Sequence, residues 1–362
     1  MKKENKLVLE LCKFINPNKT TIQELLKQPL NYPLVLGQLL FNRMGATAYY
    51  TLKESELLGY TNREFRNTLK AMYDVGREKT DSFYEIINMM NDMLNNASFP
   101  YALLKGAYLA SLYPEGLRTS NDIDILAEQK DVSQLCNLLK ENEFSQGNIR
   151  NGKFIPSSRS EIVNSMMNRG ETVPFIKKVN LPKMEFCEID LNFSVDYKPT
   201  QNTNIVSSFL EKSYKYNNNG FKTLFPPDFL IHLCLHLYKE ATVMAWVDMN
   251  RDLSLYKFCD IYLLINEWLN EGLCDEIKSR ICEFGVEKEC YYAFINTKKL
   301  FGIKNKILDK FLSDIKPENT TYLNEITNPE KRKKYRYNGS FVDWFFNSDR
   351  KGSLYEITNE TT

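Results

Sequence analysis

Two stretches of strict polar–apolar alternation, NDIDILAE at 121–128 and MEFCEIDLNFSV at 184–195, constrain this chain more than any other feature. A period of two marks a strand with one covered face and one polar face. Elsewhere most apolar residues recur at three- and four-residue spacings, the helical period. A chain with both periods is neither all-α nor all-β, and a small mixed sheet flanked by helices is expected.

The flanks carry the helical signal. LVLELCKFI, TIQELLKQ and YPLVLGQLLFNRMGATAYYTLKE read as helices, followed by helices over 62–76 and 79–96, the second capped at Thr80–Asp81. FPYALLK (99–105) reads as a short strand, GAYLASLYP (106–114) as a helix stopped by Pro114, and VSQLCNLLKENEF as a helix capped by Asp131. The stretch 144–183, rich in Asn, Ser, Arg and Gly, reads as a hairpin with a loop. Helical spacing returns at Pro226 and runs to about residue 314. The expected class is therefore α+β. A helical region over 1–97 precedes a core at 98–200, a helical region over 201–315 follows, and a polar tail occupies 316–362. The tail carries the basic run EKRKKYRY (330–337) and the aromatic segment FVDWFF, which is expected to dock on the body of the protein.

Composition narrows the function. The 362 residues hold 47 Lys and Arg against 46 Asp and Glu, for a formal charge of +1. A chain that neutralises many phosphates carries a basic excess, so a neutral total argues against long nucleic acid and favours a nucleotide or a small molecule. No run approaches the roughly 18 apolar residues of a membrane span. The eight cysteines include no CxxC pair, and MKKENKLVLELCKF lacks the apolar core of a secretory leader. A reduced, cytoplasmic protein is expected.

The acidic residues carry the chemistry. In a strand, residues i and i+2 share a face, so Asp122 and Asp124 project together, about 7 Å apart along the strand. Two buried carboxylates repel each other. A hard divalent cation, magnesium or manganese in its place, relieves the repulsion and takes oxygen ligands. Such ions clamp the attacking and leaving oxygens of phosphoryl or nucleotidyl transfer. The second alternating stretch offers Glu188 and Asp190 on one face. Asp190, flanked by Ile189 and Leu191, is the better third carboxylate, able to activate an incoming hydroxyl. Lys105 and Gly106 stand where a strand enters a helix, where backbone can approach a phosphate. Arg118, Ser120 and Asn121 lie just before the aspartates and could contact phosphate or orient the carboxylates. His232 and His236 are the only histidines. They lack the Glu of HExxH, and helix packing is the simpler reading. His236, with Lys239 beside it, is the candidate for a nucleotide contact.

The segment LLKGAYLASLYPEGLRTSNDIDIL resembles the signature of the polymerase-β-like nucleotidyltransferase superfamily. The match is nearest to the bacterial uncharacterised nucleotidyltransferases, through LKG at 104–106, Arg118, DID at 122–124, IDL at 189–191 and LIHLCLH at 230–236. The resemblance covers roughly 40–300 loosely and 100–128 specifically. It implies transfer of a nucleoside monophosphate from a triphosphate, most simply ATP, to a small-molecule or peptide acceptor, with release of pyrophosphate. It likewise implies that Asp122 and Asp124 are metal ligands, Asp190 the third carboxylate and Gly106 the phosphate-loop glycine. Ala107 departs from the Gly or Ser of the pattern. Two alternatives stand beside this reading. One is a DxD glycosyltransferase, which needs a Rossmann-like layer before the motif. The other is a non-catalytic binding protein built on the same fold.

Overall fold

The computed structural model describes residues 1–195, 203–216, 220–269 and 271–357. In chain order it begins with α1 (Lys3–Leu11), α2 (Lys19–Leu26), α3 (Tyr32–Phe41), α4 (Gly45–Glu54) and α5 (Arg63–Leu94). The central stretch is β1 (Tyr101–Leu103), α6 (Gly106–Leu109), β2 (Asp122–Ala127), α7 (Val132–Glu141), β3 (Ser145–Arg150), β4 (Lys153–Pro156), α8 (Arg159–Arg169), β5 (Phe175–Leu181) and β6 (Met184–Asn192). Next come α9 (Thr203–Glu211), β7 (Tyr214–Lys215), β8 (Lys222–Thr223), α10 (Pro226–Thr242), α11 (Met244–Asp248), α12 (Leu255–Trp268), α13 (Glu271–Phe284), α14 (Glu287–Phe301) and α15 (Lys306–Asp314). The chain closes with β9 (Glu325–Asn328), β10 (Lys333–Arg336), α16 (Phe341–Phe345) and β11 (Tyr355–Ile357). The protein is α+β, and its helices flank a mixed sheet. No described helix is long and apolar enough to cross a membrane.

The fold divides into two units, Met1–Tyr73 with Leu230–Thr362, and Asp74–Phe229. The boundary expected at 200/201 lies outside the described residues.

The unit Asp74–Phe229 holds a sheet with the order β4-β3-β5-β6-β2-β1-β8-β7. β2 is parallel to β6 and antiparallel to β1, and β5 is antiparallel to β6. The alternating sequences explain the placement of β2 and β6. Ile123, Ile125, Ile189 and Leu191 are each at most 1% exposed and line one face. The opposite face receives the acidic residues. An apolar face shared by two paired strands in this way holds the polar side chains of the other face at fixed spacing.

Three segments differ from the sequence reading. The two helices expected over 62–76 and 79–96 are one helix, α5. Thr80 does not cap it: its hydroxyl donates to the carbonyl of Gly76 (2.9 Å) and accepts from the amide of Gly116 (3.2 Å). Gly76 sits mid-helix because a Cβ there would lie 2.3 Å from the Gly116 carbonyl oxygen. The loop expected within 144–183 contains α8. It starts at a capping box, in which the Ser158 amide donates to Glu161 Oε2 (2.7 Å) and the Glu161 amide donates to Ser158 Oγ (3.3 Å). It ends at Gly170, whose φ of +67° suits a residue without Cβ. Helix α6 is also shorter than expected, ending at Leu109 rather than near Pro114.

In the other unit the described part of the tail, 316–357, carries regular structure. The basic run supplies β10, the centre of a three-stranded sheet with the order β11-β10-β9. Phe341 of the aromatic segment packs its ring 5.7 Å from that of Phe258 on α12, and Trp344 stacks on Tyr337 at 4.2 Å. Arg350 closes the segment with a bidentate ion pair to buried Asp252, at 2.6 and 2.7 Å.

Candidate active site

The register of two strands builds the site. Asp122 is paired with Glu188 and Asp124 with Asp190 across the parallel β2–β6 ladder. Paired residues on neighbouring strands, about 4.8 Å apart, point to the same face. The four carboxylates therefore form two facing pairs on the polar side of the sheet. Glu188, passed over in favour of Asp190 from sequence alone, belongs to the same group by register.

Burial sets their electrostatics. Asp124 is 6% exposed, while Asp122, Glu188 and Asp190 are half-buried. Burial pushes the Asp190 carboxyl well above the usual range, and repulsion from Asp124, Asp122 and Glu188 adds to the rise. Burial also raises Asp124, against the pull of Lys105, and raises Glu188, with help from Asp122 and Asp124. Such a cluster has more negative charge than its solvation supports.

Lys105 answers part of that charge. Its ammonium donates to Asp124 Oδ1 at 2.6 Å. Burial pulls the ammonium down, but Asp124, Asp122 and Asp190 together outweigh it and leave Lys105 raised. The residue sits between β1 and α6 with φ +41° and ψ −112°, a conformation that side-chain-bearing residues avoid. The Leu104 amide, bonded to the Asp124 carbonyl at 2.9 Å, ties this turn to β2.

The residues before β2 support the aspartates. The Ser120 hydroxyl donates to Asp122 Oδ1, and Lys79 on α5 donates to Asn121 Oδ1. Arg118 donates to the neighbouring Thr119 carbonyl at 3.1 Å. Gly106 packs against Ser120, where a Cβ would lie 2.9 Å from the serine Cβ. The structure thus gives this glycine a packing reason of its own. Ala107 is buried, at 1% exposure.

Two supporting residues went unnoticed in the sequence. Asn192 donates to Asp124 Oδ1 (3.4 Å) and to the Asp190 carbonyl (3.2 Å). It continues the alternation of Asp190 by two residues, a signal that was available. Lys79 lies on an amphipathic helix, and nothing in its spacing marks it.

Asp190 also lines a cleft of about 350 Å³, with Asn148, Glu161, Asn164, Arg169 and Glu171 among its walls. His236 and Lys239 belong to the other unit. There His236 Nε2 stands 3.4 Å from Glu240 Oε1, and its ring stacks on that of His232 with centroids 6.5 Å apart. Glu240 in turn accepts from Lys257.

An all-carboxylate donor set on one face fits a hard divalent cation taking oxygen ligands. As the side chains stand, with Lys105 on Asp124, no three acidic, histidine or cysteine side chains among the described residues converge tightly enough to enclose an ion.

Comparison with known proteins places this chain in a family. No curated protein matches the chain. Among solved structures, an antigenic nucleotidyltransferase-like protein from Paracoccidioides brasiliensis is similar at 15% sequence identity, over 65% of this chain and 94% of that one, with a TM-score of 0.39. The family described as uncharacterised nucleotidyltransferase matches residues 31–302, three quarters of the chain and the whole of the carboxylate-bearing sheet, and the chain belongs to that family.

Proposed function

We propose that the protein transfers a nucleoside monophosphate from a triphosphate, most simply ATP, to a small-molecule or peptide acceptor, releasing pyrophosphate. The observation that carries this reading is the in-register pairing of Asp122 with Glu188 and of Asp124 with Asp190 on one sheet face. Asp122, Asp124 and Asp190 would hold magnesium or manganese. Bound there, the ion supplies charge neutralisation for the triphosphate and the leaving pyrophosphate.

The chain's own residues divide the remaining work. Ser120 fixes the orientation of Asp122, and Asn192 that of Asp124. Asp190, whose proton affinity is raised by burial and by its neighbours, takes the proton of the acceptor hydroxyl as that oxygen attacks the α-phosphorus. Lys105, Gly106, Arg118 and Asn121 would meet the triphosphate. The cleft beside Asp190 is polar and of a size that suits a small acceptor. The helices before β1 leave no Rossmann-like layer ahead of the motif, which counts against a sugar-nucleotide transferase.

The test uses triphosphate labelled at either the α- or the γ-phosphorus, incubated with cell extract and divalent metal. The α-label should enter a product, the γ-label should leave as pyrophosphate, and Asp190→Asn should lower the rate by about 10²–10⁴-fold. Transfer of the γ-label would mean a kinase-type reaction and would overturn the proposal.

A further inference from the structure

We infer that Lys105 is a tethered cation that occupies the carboxylate face in place of a divalent metal until a triphosphate draws its ammonium away. The inference rests on the nucleotidyl-transfer reading of the same site.

Its ground is the contact between Lys105 Nζ and Asp124 Oδ1, at 2.6 Å, with the two side chains only 18% and 8% exposed. Asp124 is the most buried of the four acidic residues. An oxygen that donates electron density to an ammonium is not free for a hard cation that must approach to about 2.0–2.6 Å. Among the described residues no three acidic, histidine or cysteine side chains are grouped closely enough to hold an ion. A lysine side chain is long and its three donors rotate freely, so the ammonium can exchange Asp124 for a phosphate oxygen without losing a charged partner. The triphosphate would release Asp124 by that exchange.

The backbone supports a residue that is held rather than relaxed. At φ +41° Lys105 occupies a region where glycine is the ordinary choice. The turn is pinned on both sides. Leu104 is bonded to the Asp124 carbonyl, and Gly106 is packed against Ser120. A side chain at this point is therefore aimed at the carboxylates by the fold itself.

The consequence is that metal and triphosphate bind together, and metal alone binds weakly. The experiment is calorimetric titration of manganese ions alone, at about pH 8 where ordinary carboxylates are ionised. Wild type is compared with Lys105→Met, Lys105→Gln and Lys105→Arg, each checked for folding by circular dichroism. Lys105→Gln is one atom shorter but keeps an uncharged hydrogen-bond donor that can turn toward Asp124, and so guards against loss of fold. Without nucleotide, the Met and Gln variants should bind manganese about tenfold tighter or more, as expected when a competing charge is removed. Lys105→Arg, which keeps the charge, should bind as weakly as wild type. Unchanged or weaker manganese binding in both uncharged variants overturns the role of Lys105. If wild type meanwhile binds manganese together with a non-hydrolysable triphosphate, the nucleotidyl-transfer reading stands without it. If wild type binds no manganese even then, both fall.

Discussion

Asp190 stands opposite Asp124 on adjacent parallel strands, with Asn192 donating a hydrogen bond to Asp124 and another to the Asp190 carbonyl. Without metal this arrangement stores electrostatic cost. Above a pH near 3.9, the usual aspartate value, an unfolded Asp190 has lost its proton. The folded carboxyl, pushed well above that value by burial and by Asp124, Asp122 and Glu188, still holds it. The folded state binds more protons in this window, so stability falls as pH rises through it. The metal-free protein should melt at a lower temperature as pH rises above the usual aspartate range of about 4. Asp190→Asn should flatten that slope and stabilise the protein at neutral pH by on the order of 1 kcal/mol. A melting curve equally steep in the variant would show that Asp190 is not the group responsible.

Gly76 provides a test of the packing that positions the loop before β2. Replacing glycine by alanine inside a helix ordinarily gains about 1 kcal/mol. Here the added Cβ would lie 2.3 Å from a backbone carbonyl oxygen that cannot rotate aside. Overpacking costs about 1–3 kcal/mol, so Gly76→Ala should be net destabilising. Urea denaturation measures it, and a stabilised variant would mean that residue 116 does not approach α5 this closely.

Arg350 tests whether the C-terminal segment is integral to its unit. Its guanidinium meets Asp252, which is 2% exposed, through two bonds of 2.6 and 2.7 Å. Arg350→Ala leaves a buried carboxylate without its partner and should cost about 3–5 kcal/mol. Replacing both residues by apolar ones of similar size should cost much less. Equal losses for the single and double variants would argue that packing, not charge, is at stake.

The sequence made the carboxylate face legible because one physical signal, period-two alternation, fixes which side chains share a face. It placed Asp122, Asp124 and Asp190 on strands, and β2 and β6 carry them in register. It favoured Asp190 over Glu188 from the apolar neighbours Ile189 and Leu191, whereas the pairing of Glu188 with Asp122 emerges only from the β2–β6 register. The loop reading of 144–183 missed α8 although Ser158 and Glu161 spell a capping box. The low apolar content of RSEIVNSMMNR masked it, for a helix with little covered surface has weak periodicity. The tail reads only as polar because KRKKYRY is charged, yet a strand centred in a small sheet needs only its backbone paired, and its lysines can remain in water. Lys79 and the Lys105–Asp124 contact depend on how α5 and the β1–α6 turn meet β2, which no local pattern encodes.

The most direct test of the nucleotidyl-transfer account is calorimetric titration of a non-hydrolysable triphosphate with magnesium, using wild type and the Asp122→Ala/Asp124→Ala double variant. Wild type should bind only when magnesium is present, and the double variant should lose that binding by a factor of roughly 100 or more, as expected when the ion's carboxylate ligands are removed. Equal binding by the two proteins, or magnesium-independent binding by wild type, would contradict the assignment of this face as the catalytic site.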